Sequence, residues 1–230
     1  MLDMPYVDAQ TTALRNGVMN RVYAWMTAGL FVTGAIASFV AGSNALVSLI
    51  FGNPILFFGL FIVQIVAVIG LSAGINRLSP AVAMAIFMGY AALNGLTMAA
   101  IFLAYTQASI ASTFLVTGAT FGAMSLYGYT TKRDLSGVGH FAIMALIGLL
   151  IASLVNLFLQ SAALYWILTY AGVLIFVALT AWDTQKIKRL ATQVSDETSA
   201  GRVAVLGALM LYLDFINLFL LLLRVLGRRR

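Results

Sequence analysis

Apolar residues run through this chain in seven long blocks separated by short polar breaks. The blocks fall at about 22–42, 54–75, 81–104, 109–129, 140–160, 163–185 and 203–225. At about 1.5 Å per residue, a helix of about 20 residues crosses a hydrocarbon core of about 30 Å. The pattern therefore predicts an all-α, polytopic membrane protein of seven transmembrane helices. Breakers sharpen two of the starts: Gly52-Asn53-Pro54 before the second span, and Ser79-Pro80, a helix-opening signal, before the third. Tyr23 and Trp25 open the first span and Tyr127 and Tyr129 close the fourth, which suits a membrane interface.

Residues 1–20 are polar and carry two acids. They lack the basic start, apolar core and small-residue cleavage site of a signal peptide. The expectation is a short cytoplasmic tail, disordered at first and helical nearer the membrane, followed by the seven-helix domain over 21–230.

Charge between the spans alternates. The tail has Arg15 and Arg21, and the loop after span 2 has Arg77. The loop after span 4 has Lys132, Arg133 and Asp134, and that after span 6 has Lys186, Lys188, Arg189 and Arg202 against Asp196 and Glu197. The intervening loops, 42–53, 104–109 and 160–163, carry none. By the positive-inside rule the N-terminus and the basic loops are cytoplasmic. The ending Gly227-Arg228-Arg229-Arg230 disagrees, because seven crossings put it on the far side. Either the arginines were translocated or span 7 turns back; six earlier spans favour seven crossings.

Composition agrees with the pattern. The chain of 230 residues is 62% hydrophobic and 9% charged, where a soluble domain averages about 25% charged. The net charge of +6 sits almost wholly between spans, so it speaks for topology and against nucleic acid. No Cys excludes disulfides and thiol chemistry, and one His without an acid cluster argues against a transition-metal site. A faint repeat links Asn76-Arg77-Leu78-Ser79 and Lys132-Arg133-Asp134-Leu135-Ser136, each with a Ser placed to cap the next helix. Gly118 and Gly122, and Ala91 and Gly95, are small-residue pairs suited to close helix packing. Gln64, Asn94 and Asn156 lie in the spans and are expected to bond between helices, with pore lining as the alternative.

Two acids change the picture. Asp214 falls about halfway along span 7, where a carboxylate costs at least about 2.5–3.5 kcal/mol and so marks a function by default. Asp214, Asn217, Leu221 and Arg224 stand at i, i+3, i+7 and i+10, one helical face. That polar stripe should point into the protein, making span 7 a central helix. Asp183 sits near the end of span 6 on the face of Thr180 and Lys186. It reads either as an interfacial acid paired with Lys186 or Arg189, or as the partner of Asp214; Asp214 alone reads as a buried neutral or paired acid. Counted from the helix ends, Asp183 lies about 5 Å and Asp214 about 15 Å deep, leaving about 10 Å to be closed. If they meet, both cannot ionise cheaply, so the pair would answer to pH. Deprotonated, the pair would offer hard oxygens suited to Ca²⁺. Arg77, at the cytoplasmic end of span 2, is a topology charge or a basic partner for them.

Three stretches carry a resemblance: GAMSLYGYTTKRDLSG (122–137), LTAWDTQKIK (179–188) and LYLDFINLFLLLLR (211–224). From about residue 20 onward the chain resembles the Bax inhibitor-1 (TMBIM) family, and closely its bacterial inner-membrane members. The resemblance implies seven helices with the last at the centre. It implies a pH-sensitive Ca²⁺ leak, in which the acids matching Asp183 and Asp214 titrate and an arginine of span 2, here Arg77, latches the closed state. The expected partners are the lipid bilayer, calcium ions as cargo and protons, with no resident cofactor, no enzymatic activity and no nucleic acid. A second reading is an integral membrane modulator of a membrane protease or stress response, with tail 1–20 as its handle. An intramembrane aspartyl protease fits poorly, because no glycine pair precedes either acid. A coupled transporter fits poorly for want of recurring broken-helix Gly/Pro pairs.

Overall fold

The computed structural model describes residues 4–230, with side chains described from residue 17. Eight helices follow in order: α1 (Met4–Ala41), α2 (Asn44–Phe51), α3 (Pro54–Gly74), α4 (Pro80–Ala104), α5 (Gln107–Thr130), α6 (Ser136–Leu159), α7 (Ala162–Ala191) and α8 (Glu197–Leu226). Seven are long and apolar enough to cross a membrane. Burial ranks them. Over an 18-residue stretch 61% of α8 is buried, against 39% for α4 and 6% for α6. The two most hydrophobic helices, α3 and α6, are the least buried, and the helix with the intramembrane acid is the most enclosed.

The spans read from hydropathy differ from the helices in three places. Residues 4–20, read as a tail, are the first part of α1; residues 1–3 lie outside the described residues. The uncharged loop 42–53 contains α2, capped by Ser43, whose side chain accepts from the Leu46 amide. Eight residues are too few to cross a membrane, so a search for spans passes over this helix. Finally, α7 runs on to Ala191 and α8 starts at Glu197, about two turns beyond the spans 163–185 and 203–225. Hydropathy reports where the membrane ends, not where the helix does. Ile187 and Ala191, buried on one side of this polar stretch, carry α7 onward.

The chain divides into two compact units. The first comprises Met1–Ala104, Ile187–Tyr212 and Arg230. At its centre the Tyr212 ring meets Phe87 and Tyr90 edge-on, at centroid distances of 5.6 and 5.7 Å. Gly29 makes room, since a Cβ there would stand 2.8 Å from the Phe87 ring. The Tyr212 hydroxyl accepts from the Asn94 amide at 2.7 Å and shares a 2.6 Å bond with the Thr33 hydroxyl. Thr33 Oγ1 also lies 2.8 Å from the Ala91 carbonyl. Gln64 donates to the Leu93 carbonyl at 3.3 Å, so Gln64 and Asn94 do bond between helices as expected. Gly95 is a close-packing position, with a Cβ there 2.8 Å from Ile36. Two surface ties close the unit: Arg21 pairs with Glu197 at 2.8 Å, and Arg202 Nε donates to the Leu78 carbonyl at 2.8 Å.

The second unit comprises Tyr105–Lys186 and Leu213–Arg229. Ala142, Phe176, Leu179, Leu218 and Leu221 form its core. Phe215 of α8 packs between Phe114 and Phe121 of α5, at 5.2 and 5.5 Å. Here two sequence expectations fail. A Cβ on Gly118 or Gly122 would meet nothing within 4 Å, so this GxxxG face is not a tight packing seam. Asn156 accepts from the Ser161 amide at 3.0 Å, closing the α6–α7 turn instead of bridging helices. The two basic turns also differ. Ser79 caps α4 through the Val82 amide (3.3 Å), but Ser136 is inside α6 and its amide donates to Asp134 Oδ1 (2.9 Å).

Candidate functional site: a buried acid pair

The second unit brings Asp183 and Asp214 together. Asp183 comes from α7 and Asp214 from α8; they are 8% and 4% exposed and joined by a side-chain hydrogen bond. An ionised carboxyl has only acceptors, so this bond requires a proton on one of the two. Asp183 Oδ1 and Asp214 Oδ2 are buried with no hydrogen-bond partner. The contact makes the other acid a neighbour of Asp183, and Lys186 acts on the same carboxyl. The depth difference of about 10 Å counted α7 as ending near 185, whereas it runs on to Ala191.

The neighbours hold α7 in place. Thr180 donates to the Phe176 carbonyl (2.7 Å) and Thr184 to the Thr180 carbonyl (2.8 Å), so both hydroxyls serve their own helix. Thr184 also reaches Ser125 Oγ of α5 at 3.2 Å. Gln185 clamps the α5–α6 turn from both ends: its amide donates to the Arg133 carbonyl (2.8 Å) and its oxygen accepts from the Leu135 amide (2.9 Å). Two glycines permit the approach. A Cβ on Gly128 would collide with the Ala181 backbone, and one on Gly139 with the Trp182 ring. Lys186 Nζ lies over that ring, 4.7 Å from its centroid, and is the cation acting on both carboxyls. His140, the single histidine, has its ring 6.4 Å from Trp182.

The other candidates are less enclosed. Asn217 is half-buried and donates to the Leu213 carbonyl of its own helix at 2.8 Å. Arg224 is exposed, its guanidinium 5.7 Å from the Tyr165 ring, so the inward stripe ends at Leu221. Arg224 is in the last turn of α8, where the helix leaves the apolar interior. Arg77 belongs to the first unit and is exposed on the turn after α3. Gln185, Trp182, Gly128 and Gly139 were missed as site residues, although three of the four lie in the very stretches that carry the family resemblance. Polarity inside a helix flags Gln185; nothing in one sequence marks a glycine as the seat of a facing backbone.

A helical, seven-span membrane protein with a hydrogen-bonded acid pair on its two last helices is the class this geometry defines. The chain belongs to the Bax inhibitor-1 family: the family model "Inhibitor of apoptosis-promoting Bax1" matches residues 15–230. Among its relatives, the inner membrane protein YbhL of Escherichia coli K12 is 56% identical over 214 residues, 92% of each chain. A protein of Borreliella burgdorferi is 41% identical over 231 residues, covering 100% of this chain and 99% of that one. One of Deinococcus radiodurans is 44% identical over 207 residues, 90% and 88% of the two chains. The protein is thus an integral membrane protein of the inner-membrane type.

Proposed function

We propose that this protein is a pH-sensitive calcium leak whose switch is the Asp183–Asp214 pair. The observation that carries the reading is the direct bond between two buried carboxyls, each with an oxygen left over. With one proton shared, the pair carries a single negative charge and stays closed. Loss of that proton puts two like charges side by side, which either drives the helices apart or draws in a cation. Calcium is the cargo. Two carboxyls supply at most four oxygens, while Ca²⁺ takes about 6–8, so a passing ion keeps part of its water shell and is held weakly. No group of three His, Cys, Asp or Glu side chains capable of holding a resident metal occurs among the described residues. Arg77 is the latch in this proposal, and Lys186 the cation that tunes the pair. The N-terminus and the basic loops face the cytoplasm, on the evidence of charge alone.

The test is calcium uptake into liposomes across a pH series. Asp214→Asn keeps a hydrogen-bonding group and leaves Asp183 to titrate alone, so the pH dependence of flux should shift. A proton bound one pKa unit differently in two states biases them about tenfold. Flux unchanged in both size and pH profile would sink the proposal.

A further inference from the structure

One end of the second unit gathers arginines that the acid pair does not use. After α8 the chain folds back along the α4–α5 turn. The Thr106 amide donates to the Arg228 carbonyl (3.1 Å), the Arg228 amide donates to Ser109 Oγ (2.9 Å), and Tyr105 and Arg229 form an antiparallel bridge. Gly227 makes the fold-back fit, since a Cβ there would stand 2.6 Å from the Tyr105 ring. The arginines therefore emerge at fixed places. The Arg229 guanidinium lies over the Tyr105 ring at 5.9 Å and donates to its hydroxyl. Arg224 lies over Tyr165 at 5.7 Å, and Tyr165 is also within electrostatic reach of Arg229. Arg224 is thus seated on Tyr165 and Arg229 on Tyr105, and Arg228 is exposed between them along the chain.

No acidic side chain in the sequence nearby offsets this charge. No Asp or Glu occurs from 135 to 182 or after Asp214. A helix C-terminus favours a single cation in its last turn, and Arg224 is that one; it does not account for Arg228 and Arg229. Like charges held together by rings and backbone bonds form a site waiting for an anion, and the planar guanidinium fork suits a phosphate. What lies beside it says how that phosphate arrives. Trp166 and Tyr170 stack at 5.9 Å, are 43% and 54% exposed, and continue into exposed Leu174. Stacked exposed aromatics at a helix end are an interfacial signature, and the apolar stripe beyond them is a lipid-facing surface.

We propose that Arg224, Arg228 and Arg229 bind the headgroup phosphate of an anionic phospholipid, whose acyl chains lie along Trp166, Tyr170 and Leu174. The site is at the end of the unit away from Lys132 and Arg133, so it draws on the opposite leaflet from that turn. It stands whether or not the protein conducts calcium.

Native mass spectrometry of the full-length protein in detergent tests this, with phosphatidylglycerol, phosphatidylcholine or inorganic phosphate added. The wild type should retain phosphatidylglycerol over phosphatidylcholine, and inorganic phosphate should not displace it. Arg224→Gln with Arg229→Gln should reduce that preference at least about tenfold, the scale of two arginines acting at an anionic surface. Tyr105→Leu with Tyr165→Leu keeps every arginine and should also weaken it, because the guanidiniums lose their seats. Lys132→Gln with Arg133→Gln, at the other end, should leave it intact. Equal retention of the two lipids, displacement by inorganic phosphate, or an undiminished preference in either the arginine or the tyrosine variant overturns the proposal.

Discussion

Each unit of this protein buries a polar cluster, and the two are built on opposite terms. In the first, Tyr212, Thr33 and Asn94 share a hydroxyl, and every bond they form is short and complementary. In the second, Asp183 and Asp214 bond each other and leave Asp183 Oδ1 and Asp214 Oδ2 without partners. A satisfied network fixes one arrangement; an unsatisfied buried group costs about 1–3 kcal/mol. Tyr212 and Asp214 are two residues apart on α8, so one helix carries a member of each cluster.

Substitutions can test that contrast. The largest effect should come from Gly128→Ala, because the obstacle is the Ala181 backbone, which cannot rotate away. About 3 kcal/mol or more should be lost in detergent unfolding, whereas Gly29→Ala, facing the movable Phe87 ring, should cost about 1–2 kcal/mol. Tyr212→Phe removes the hydroxyl that Thr33 and Asn94 share and should cost about 1–2 kcal/mol by the same measurement. Asp214→Asn should stay within about 1 kcal/mol of wild type, since an amide can still donate to Asp183. If Asp214→Asn proves costlier than Tyr212→Phe, the acid pair is structural and the contrast fails.

The smallest effect belongs to the loop between α7 and α8. Asp196 accepts from the Ser199 amide at 2.9 Å, which holds its carboxyl below its ordinary value. A lowered folded-state value adds stability that is present above about pH 4, the ordinary aspartate range, and is lost as pH falls through the lowered value. Protection of the first-turn amides of α8 from hydrogen exchange should therefore weaken on acidification. In Asp196→Asn, which can still cap, that dependence should disappear.

Hydropathy made the seven spans legible, because a membrane demands about 20 apolar residues wherever it is crossed. It could not reveal α2, whose eight residues cross nothing, nor the last turns of α7, whose polar face hides the buried Ile187 and Ala191. The polarity of Asp214 in an apolar helix announced the site. Its partner was less legible, since depth along each helix says little about where two helices approach. Gln185 and Gly128 serve the site only through what faces them, Arg133 and Leu135 in one case and Ala181 in the other. Such roles belong to the fold and not to the residue. Arg224 was misjudged because a helical face is continuous only while its surroundings are.

The length of the last two helices has a practical consequence. Each has 30 residues, about 45 Å of helix against a hydrocarbon core of about 30 Å. The surplus at the α7–α8 junction is polar, from Lys186 to Arg202. The two helices therefore outrun the hydrocarbon at this junction, where Ile187, Ala191 and Val194 stay buried and Thr192, Gln193, Ser195 and Asp196 are exposed. A cysteine or epitope placed there would be reached by a membrane-impermeant reagent from one side only. The loop that joins the two acid-bearing helices is thus also the place from which the orientation of the whole protein can be read.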